Sequence, residues 1–154
     1  MNLSENFTLK EYTKSSTATR NDISNHPDDA GIAKAVLLFK NVVQPVRNKF
    51  GRTVITSGYR SSALNRIIGG ADTSQHTKCE AVDIEVPGVS NYEVAAWIRD
   101  NLDYDQLILE FYTPGIPDSG WVHVSYTESQ ANRKSTLTAV KESGRTKYLE
   151  GLVE

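Results

Sequence analysis

Two short stretches constrain this chain more than any other part of it. The first, from Ser57 to Ile84, reads SGYRSSALNRIIGGADTSQHTKCEAVDI and carries His76 and, seven residues on, Asp83. The second, forty residues later, is WVHVSY, with His123 inside it. Val82, Ile84 and Val86 alternate with Asp83 and Glu85, and Val122, Val124 and Tyr126 alternate with Trp121, His123 and Ser125. A period of two marks a half-buried strand, so Asp83 and His123 each stand opposite an apolar row. Two such strands side by side aim both groups into one cleft, with His76 reaching in from the preceding loop. Two imidazole nitrogens and one carboxylate oxygen, with a position left open for water, form the donor set of a catalytic zinc site. His76, Asp83 and His123 are therefore read as the protein ligands of one metal ion.

At 154 residues the chain can build one domain with a core of its own. Its 17 basic and 19 acidic residues leave a formal charge of −2, which argues against a nucleic-acid binder driven by phosphate neutralisation. No apolar run approaches the roughly 20 residues of a membrane span. The start, MNLSENFTLKEYTKSS, lacks the apolar core of a signal peptide, so synthesis in the cytoplasm is expected. The single cysteine, Cys79, excludes an internal disulfide framework and a four-cysteine structural zinc site.

Three segments are expected. Residues 1–26 read as a polar arm, extended or loosely helical, anchored by Phe7, Leu9 and Tyr12; His26 there has no partner at ligand spacing. Residues 27–141 form the domain proper. Pro27, Asp28 and Asp29 suit a first helical turn. Ile32, Val36, Phe39, Val43, Val46 and Phe50 follow on one helix face, interrupted at Pro45 and capped by Gly51. A strand over 53–56, a helix capped by Ser61 or Ser62 and ended by Gly69-Gly70, and the strand VDIEV come next. Ser90 and Glu93 open another helix. QLILEF and WVHVSY, joined by YTPGIPDSG, read as an antiparallel hairpin with Leu107, Leu109 and Phe111 on one face and Glu110 on the other. A last strand lies within 136–141, and residues 142–154 read as a polar tail, ordered in part.

The segments FTLKEYTKSSTA, VVQPVR, SGYRSSALN, GGADTSQH, EAVDI, LILEF and WVHVSY together carry a resemblance. The chain resembles the zinc D-Ala-D-Ala carboxypeptidase and L-alanyl-D-glutamate endopeptidase family of murein peptidases, and within it the small, signal-less members found in bacteriophages. The resemblance implies an α+β fold, a small, mainly antiparallel sheet with helices packed on it, of the DD-peptidase/hedgehog-like zinc type. It implies one zinc ion on the residues matching His76, Asp83 and His123. It also implies a peptidoglycan stem peptide as substrate, with access to the wall after a holin or lysis. A monomer is expected, with neither nucleic acid nor membrane as partner. In one respect the chain departs from the family: Cys79 stands where a glycine is usual, which offers His76 and Cys79 as a rival His-x-x-Cys ligand pair.

Amide hydrolysis calls for a strong nucleophile, which zinc supplies by lowering the pKa of bound water to about 7. A carboxylate must then move a proton to the leaving amine. Glu110, on the polar side of its strand and near His123 through the hairpin, is the first candidate for this base, and Asp118 the second. Other branches of the family place the base three residues before the last ligand, where this chain has Gly120. Arg60 matches the family's arginine for the oxyanion or a substrate carboxylate, which a guanidinium grips with two prongs. Ser74, Gln75 and Trp121 are candidates for shaping the substrate cleft. Two other classes remain open at this point: a zinc-binding cell-wall or structural module without hydrolysis, and a metal-free structural protein.

Overall fold

The structure, a computed structural model, describes residues 1–154. The N-terminal segment is more ordered than a wrapping arm. β1 (Asn2–Ser4) pairs antiparallel with β2 (Phe7–Thr8). α1 (Leu9–Thr13) opens with a capping box, in which the Thr8 hydroxyl accepts from the Glu11 N–H and the Glu11 carboxylate from the Thr8 N–H. α2 (Ser16–Arg20) starts at Ser15, whose hydroxyl accepts from the Ala18 N–H. Leu3, Phe7 and Tyr12 are buried in the main core. The Phe7 and Tyr12 rings pack on Phe39 with centroids 5.4 and 5.1 Å away. The Tyr12 hydroxyl donates to the Ala81 carbonyl at 2.9 Å, which ties the N-terminal segment to the strand that carries Asp83.

α3 (Asp29–Leu38) is capped by Asp28, whose carboxylate accepts from the Gly31 N–H. Pro27 thus precedes the cap instead of lying in the first turn. A single π-turn over Phe39–Val43 leads into α4 (Gln44–Phe50). Pro45 has no N–H to give and its ring crowds the carbonyl four residues back. The chain answers upstream by widening one turn, so that the Gln44 N–H reaches the Phe39 carbonyl. The apolar face survives this interruption, with Phe39, Val42, Val43 and Val46 all fully buried. Gly51, at φ +94°, ends the helix as expected.

β3 (Val54–Ser57) is followed by α5 (Ser62–Ile68), capped by Ser61 and closed by Gly69 in the left-handed region. A 3₁₀ turn over Gln75–Lys78 precedes β4 (Ala81–Glu85). α6 (Asn91–Asn101) starts at Ser90, and β5 (Gln106–Glu110) and β6 (Trp121–Ser125) form the expected antiparallel hairpin. β7 (Ser135–Glu142) and β8 (Arg145–Glu150) complete a six-stranded sheet in the order β3-β4-β6-β5-β7-β8. Only the β5–β7 pairing is parallel. The fold is α+β. One sheet face, with Val82, Ile84, Leu107, Leu109, Val122 and Val124, shares a buried cluster with residues of α3, α4, α6 and the π-turn. The other face carries Asp83, His123 and Glu110. No helix is long and apolar enough to cross a membrane.

Two further expectations change. The polar end of the chain is no loose tail: Arg145–Glu150 pairs along β7 from Leu137↔Glu150 to Glu142↔Arg145. Ser143 and Gly144, at φ +52° and +77°, make the two-residue turn that joins these strands. The segment reads as tail because β8 is an edge strand with mostly exposed residues, and Arg145 and Lys147 suit such an edge. Phe111 also leaves the row of Leu107 and Leu109. Its φ of +57° turns it out of the strand, and its ring packs on Trp121 at 5.5 Å.

Candidate active site

Asp83 and His123 are direct cross-strand partners in the β4–β6 register, both on the face turned away from the core. Such neighbours have Cβ atoms about 4.5–5.5 Å apart, within reach of one ion. His123 Nδ1 lies 2.9 Å from Asp83 Oδ1, and His76 Nε2 lies 3.4 Å from the same oxygen. One donor atom from each of the three residues falls within 4.8 Å of the others. Ligand bonds of about 2.0–2.1 Å in a tetrahedral site set the donor atoms about 3.3 Å apart. The two short distances bracket that value, so the donor set fits zinc in number, chemistry and spacing.

His76 is aimed by its surroundings. Ser74 Oγ accepts from the His76 N–H at the start of the 3₁₀ turn. His76 Nδ1 donates to the Gly58 carbonyl at 2.8 Å; since a carbonyl only accepts, the ring carries a hydrogen there, and Nε2 is the nitrogen that faces Asp83 and the cleft. The Arg60 N–H donates in turn to the His76 carbonyl at 3.1 Å, lacing the two loops together. Gly58 is required at this crossing, because a Cβ would stand 2.0 Å from the Tyr12 carbonyl oxygen. For Asp83, burial alone would raise the carboxyl. Hydrogen bonds from His123 and His76, with their charge, outweigh burial and hold it well below the usual carboxylate range, ionised as a ligand must be.

The three groups line a cleft of about 700 Å³ that Arg60, Ser74, Gln75, Glu110 and Trp121 also border. Ile108 faces His123 across the β5–β6 pair and Glu110 faces Trp121, so Glu110 is the diagonal neighbour of His123 on the same face. Its Oε2 accepts from Trp121 Nε1 at 2.7 Å. Burial pushes the Glu110 carboxyl up; the nearby Asp83 charge adds to this, while His123 and the Trp121 bond oppose it. A carboxyl raised in this way, beside a ligand cluster and in a cleft, suits proton transfer. Arg60 Nε is buried and has no hydrogen-bond partner in the protein. An unused buried donor costs about 1–3 kcal/mol, which a bound acceptor relieves.

Two sequence candidates are not brought to the cleft. Asp118 is exposed in the β5–β6 connection and borders a separate groove with Glu85, Gly88 and Asn91. Cys79 is 1% exposed and belongs to the hydrophobic core. It lines a pocket with Asp28, Gly31 and Lys34, and its thiol is pushed up to about 12 by burial first and the Asp28 charge second. The rival His76–Cys79 pair is therefore absent from the metal-ligand cluster. Cys79 does adopt φ +60°, the left-handed conformation that a glycine takes without strain. Gly120 shows why the base cannot stand three residues before His123. At φ +65° its Cβ would meet the Glu110 carbonyl oxygen at 2.0 Å, so no carboxylate side chain fits there.

The cleft also holds residues that the sequence did not point to, among them Asp105, Arg133 and Tyr148. Asp105 and Arg133 are 28 residues apart and pair only through the fold. Among curated proteins none matches the chain. The family model described as Peptidase M15 matches residues 5–125, from the N-terminal hairpin to the last residue of β6. That span is more than half of the chain and contains His76, Asp83, Glu110 and His123. The chain belongs to the Peptidase M15 family, whose members are zinc-dependent metallopeptidases.

Proposed function

We propose that the protein hydrolyses an amide bond in the stem peptide of peptidoglycan, as a monomeric, endolysin-like murein peptidase of the small phage type. The observation that carries this reading is the convergence of His76, Asp83 and His123 with Glu110 on one face of the sheet and in one cleft. His76, Asp83 and His123 would hold the zinc, which when bound supplies an activated water and polarises the scissile carbonyl. Glu110 takes a proton at its carboxylate and returns it to the leaving amine. The Trp121 Nε1–H holds that carboxylate in place from the next strand. Arg60 receives a carboxylate of the peptide, and Ser74 and Gln75 shape the loop that carries His76.

Digestion of purified murein by the zinc-loaded protein, followed by mass spectrometry of the fragments, tests this reading and identifies the bond. New stem-peptide termini are expected. Stoichiometric zinc with intact murein would instead make the protein a binding module.

Arg60→Lys should fold and keep its zinc, because the loop is laced through the Arg60 backbone N–H and not its side chain. Its activity should fall by about tenfold or more, since an ammonium cannot reproduce the two-pronged contact. Wild-type kinetics in this variant would return Arg60 to a purely structural role.

A further inference from the structure

The family match stops at residue 125, yet the cleft does not. Residues after it supply Gln130, Arg133 and Tyr148 to the cleft lining. This added wall is firmly attached. β7 runs parallel to β5 in unbroken register from Gln106↔Ser135 to Glu110↔Ala139, and the Lys134 and Ser135 N–H groups donate to the Tyr104 and Asp105 carbonyls.

Arg133 is the charged group of that wall. Its Nε and Nη2 donate to the two carboxylate oxygens of Asp105 at 3.0 and 2.9 Å, and its backbone N–H adds a third bond to Asp105 at 3.2 Å. Asp105 is 1% exposed and also accepts from Gln75 Nε2 at 3.0 Å, so the residue next to His76 shares the anchor. The two ends of the pair differ sharply: the Arg133 side chain is 54% exposed, against 1% for Asp105. One edge of the guanidinium is spent on the buried acid. Nη1, with two further N–H groups, makes no bond to the protein and is open to a ligand. A guanidinium already fixed by a buried partner loses little freedom on binding, which favours recognition at this point. In the strand order β3-β4-β6-β5-β7, Arg60 follows β3 and Arg133 precedes β7, so the two arginines flank the ligand strands at the same end of the sheet. Four strand spacings put their backbones roughly 20 Å apart, a span that one short extended peptide can cover once both long side chains reach inward.

We infer that Arg133 is a specificity-determining anchor for a second carboxylate of the bound peptide, distinct from the one received by Arg60. This rests on the peptidase reading for the identity of the peptide, though not on turnover.

The test is calorimetric binding to zinc-loaded protein with Glu110→Gln, so that bound peptide persists. The probes are a synthetic stem peptide with free side-chain carboxylates and the same peptide with those groups amidated. The free form should bind tighter. Arg133→Gln alone strands a buried charge, so it is combined with Asp105→Asn, which removes both charges together. In that protein the free peptide should bind about tenfold more weakly or worse, the amidated peptide should be unchanged, and zinc content should be unchanged. The inference is overturned if the parent binds neither form or both equally, if the preference is undiminished by the paired substitution, or if both peptides weaken alike. Selective binding by the parent together with no cleavage of murein by the unsubstituted protein would remove the hydrolytic reading and leave the anchor standing.

Discussion

Glu110→Gln is expected to lower turnover on murein by about two to four orders of magnitude, the usual size of general acid–base assistance. Glutamine keeps the shape and still offers an oxygen to Trp121 Nε1, but it cannot accept the proton. Zinc content should not change, because Glu110 lies outside the His76–Asp83–His123 cluster. Thermal stability should hold as well. Burial raises the Glu110 carboxyl, which means that the fold disfavours its charged form, and a neutral amide removes that penalty at neutral pH. Asp118→Asn is the control. Its exposed carboxylate borders another groove, so most of the activity should remain. An active Glu110→Gln beside an inactive Asp118→Asn would move the base to the loop; activity in both would end the carboxylate-base mechanism. The pH profile gives a second reading. A base works unprotonated, and a raised pKa makes the rate fall earlier as pH drops. Burial raises this carboxyl and the charge of a bound zinc would oppose that, so the acidic limb should follow Glu110, and in Glu110→Gln it should move or vanish. A limb that stays in place belongs to another group.

His123→Ala is expected to abolish stoichiometric zinc and, with it, activity. It removes one of three donors, and it takes from Asp83 the histidine bond that does most to keep that carboxylate ionised. Burial then acts on Asp83 with only His76 opposing it, so the remaining pair is a poorer ligand set as well as a smaller one. Elemental analysis after dialysis reads the outcome, and a full equivalent of tightly held metal would show the ligand set to be wrong. Cys79→Ser is the matched comparison. Its thiol sits in the core on the side of Asp28 and Gly31, so metal content should stay at the wild-type level. Loss of zinc in this variant would restore the cysteine to the site.

Much of the site is legible in the amino-acid order alone, and for a local reason. A strand has a period of two, so VDIEV and WVHVS by themselves state which residues share a face with Asp83 and His123. Helix starts are equally readable at Ser61 and Ser90, because a side-chain cap acts within three residues. The hairpin of β5 and β6 then sets Glu110 beside His123, through a connection short enough to read.

What the sequence could not supply depends on partners far along the chain. Asp118 and Glu110 are both acidic residues near His123. Only the path of the loop sends one to a separate groove and the other into the cleft. Cys79 lies three residues from His76, at a ligand's spacing, yet a left-handed φ turns it into the core. β8 carries too few apolar residues to announce a strand. It exists because β7 offers it an edge, and β7 in turn is held parallel to β5. The pairing of Arg133 with Asp105, and the wall it builds, follow from that long-range register. Local periodicity determined which side chains face the cleft; the order of the strands, closed through contacts between distant segments, decided which of them meet.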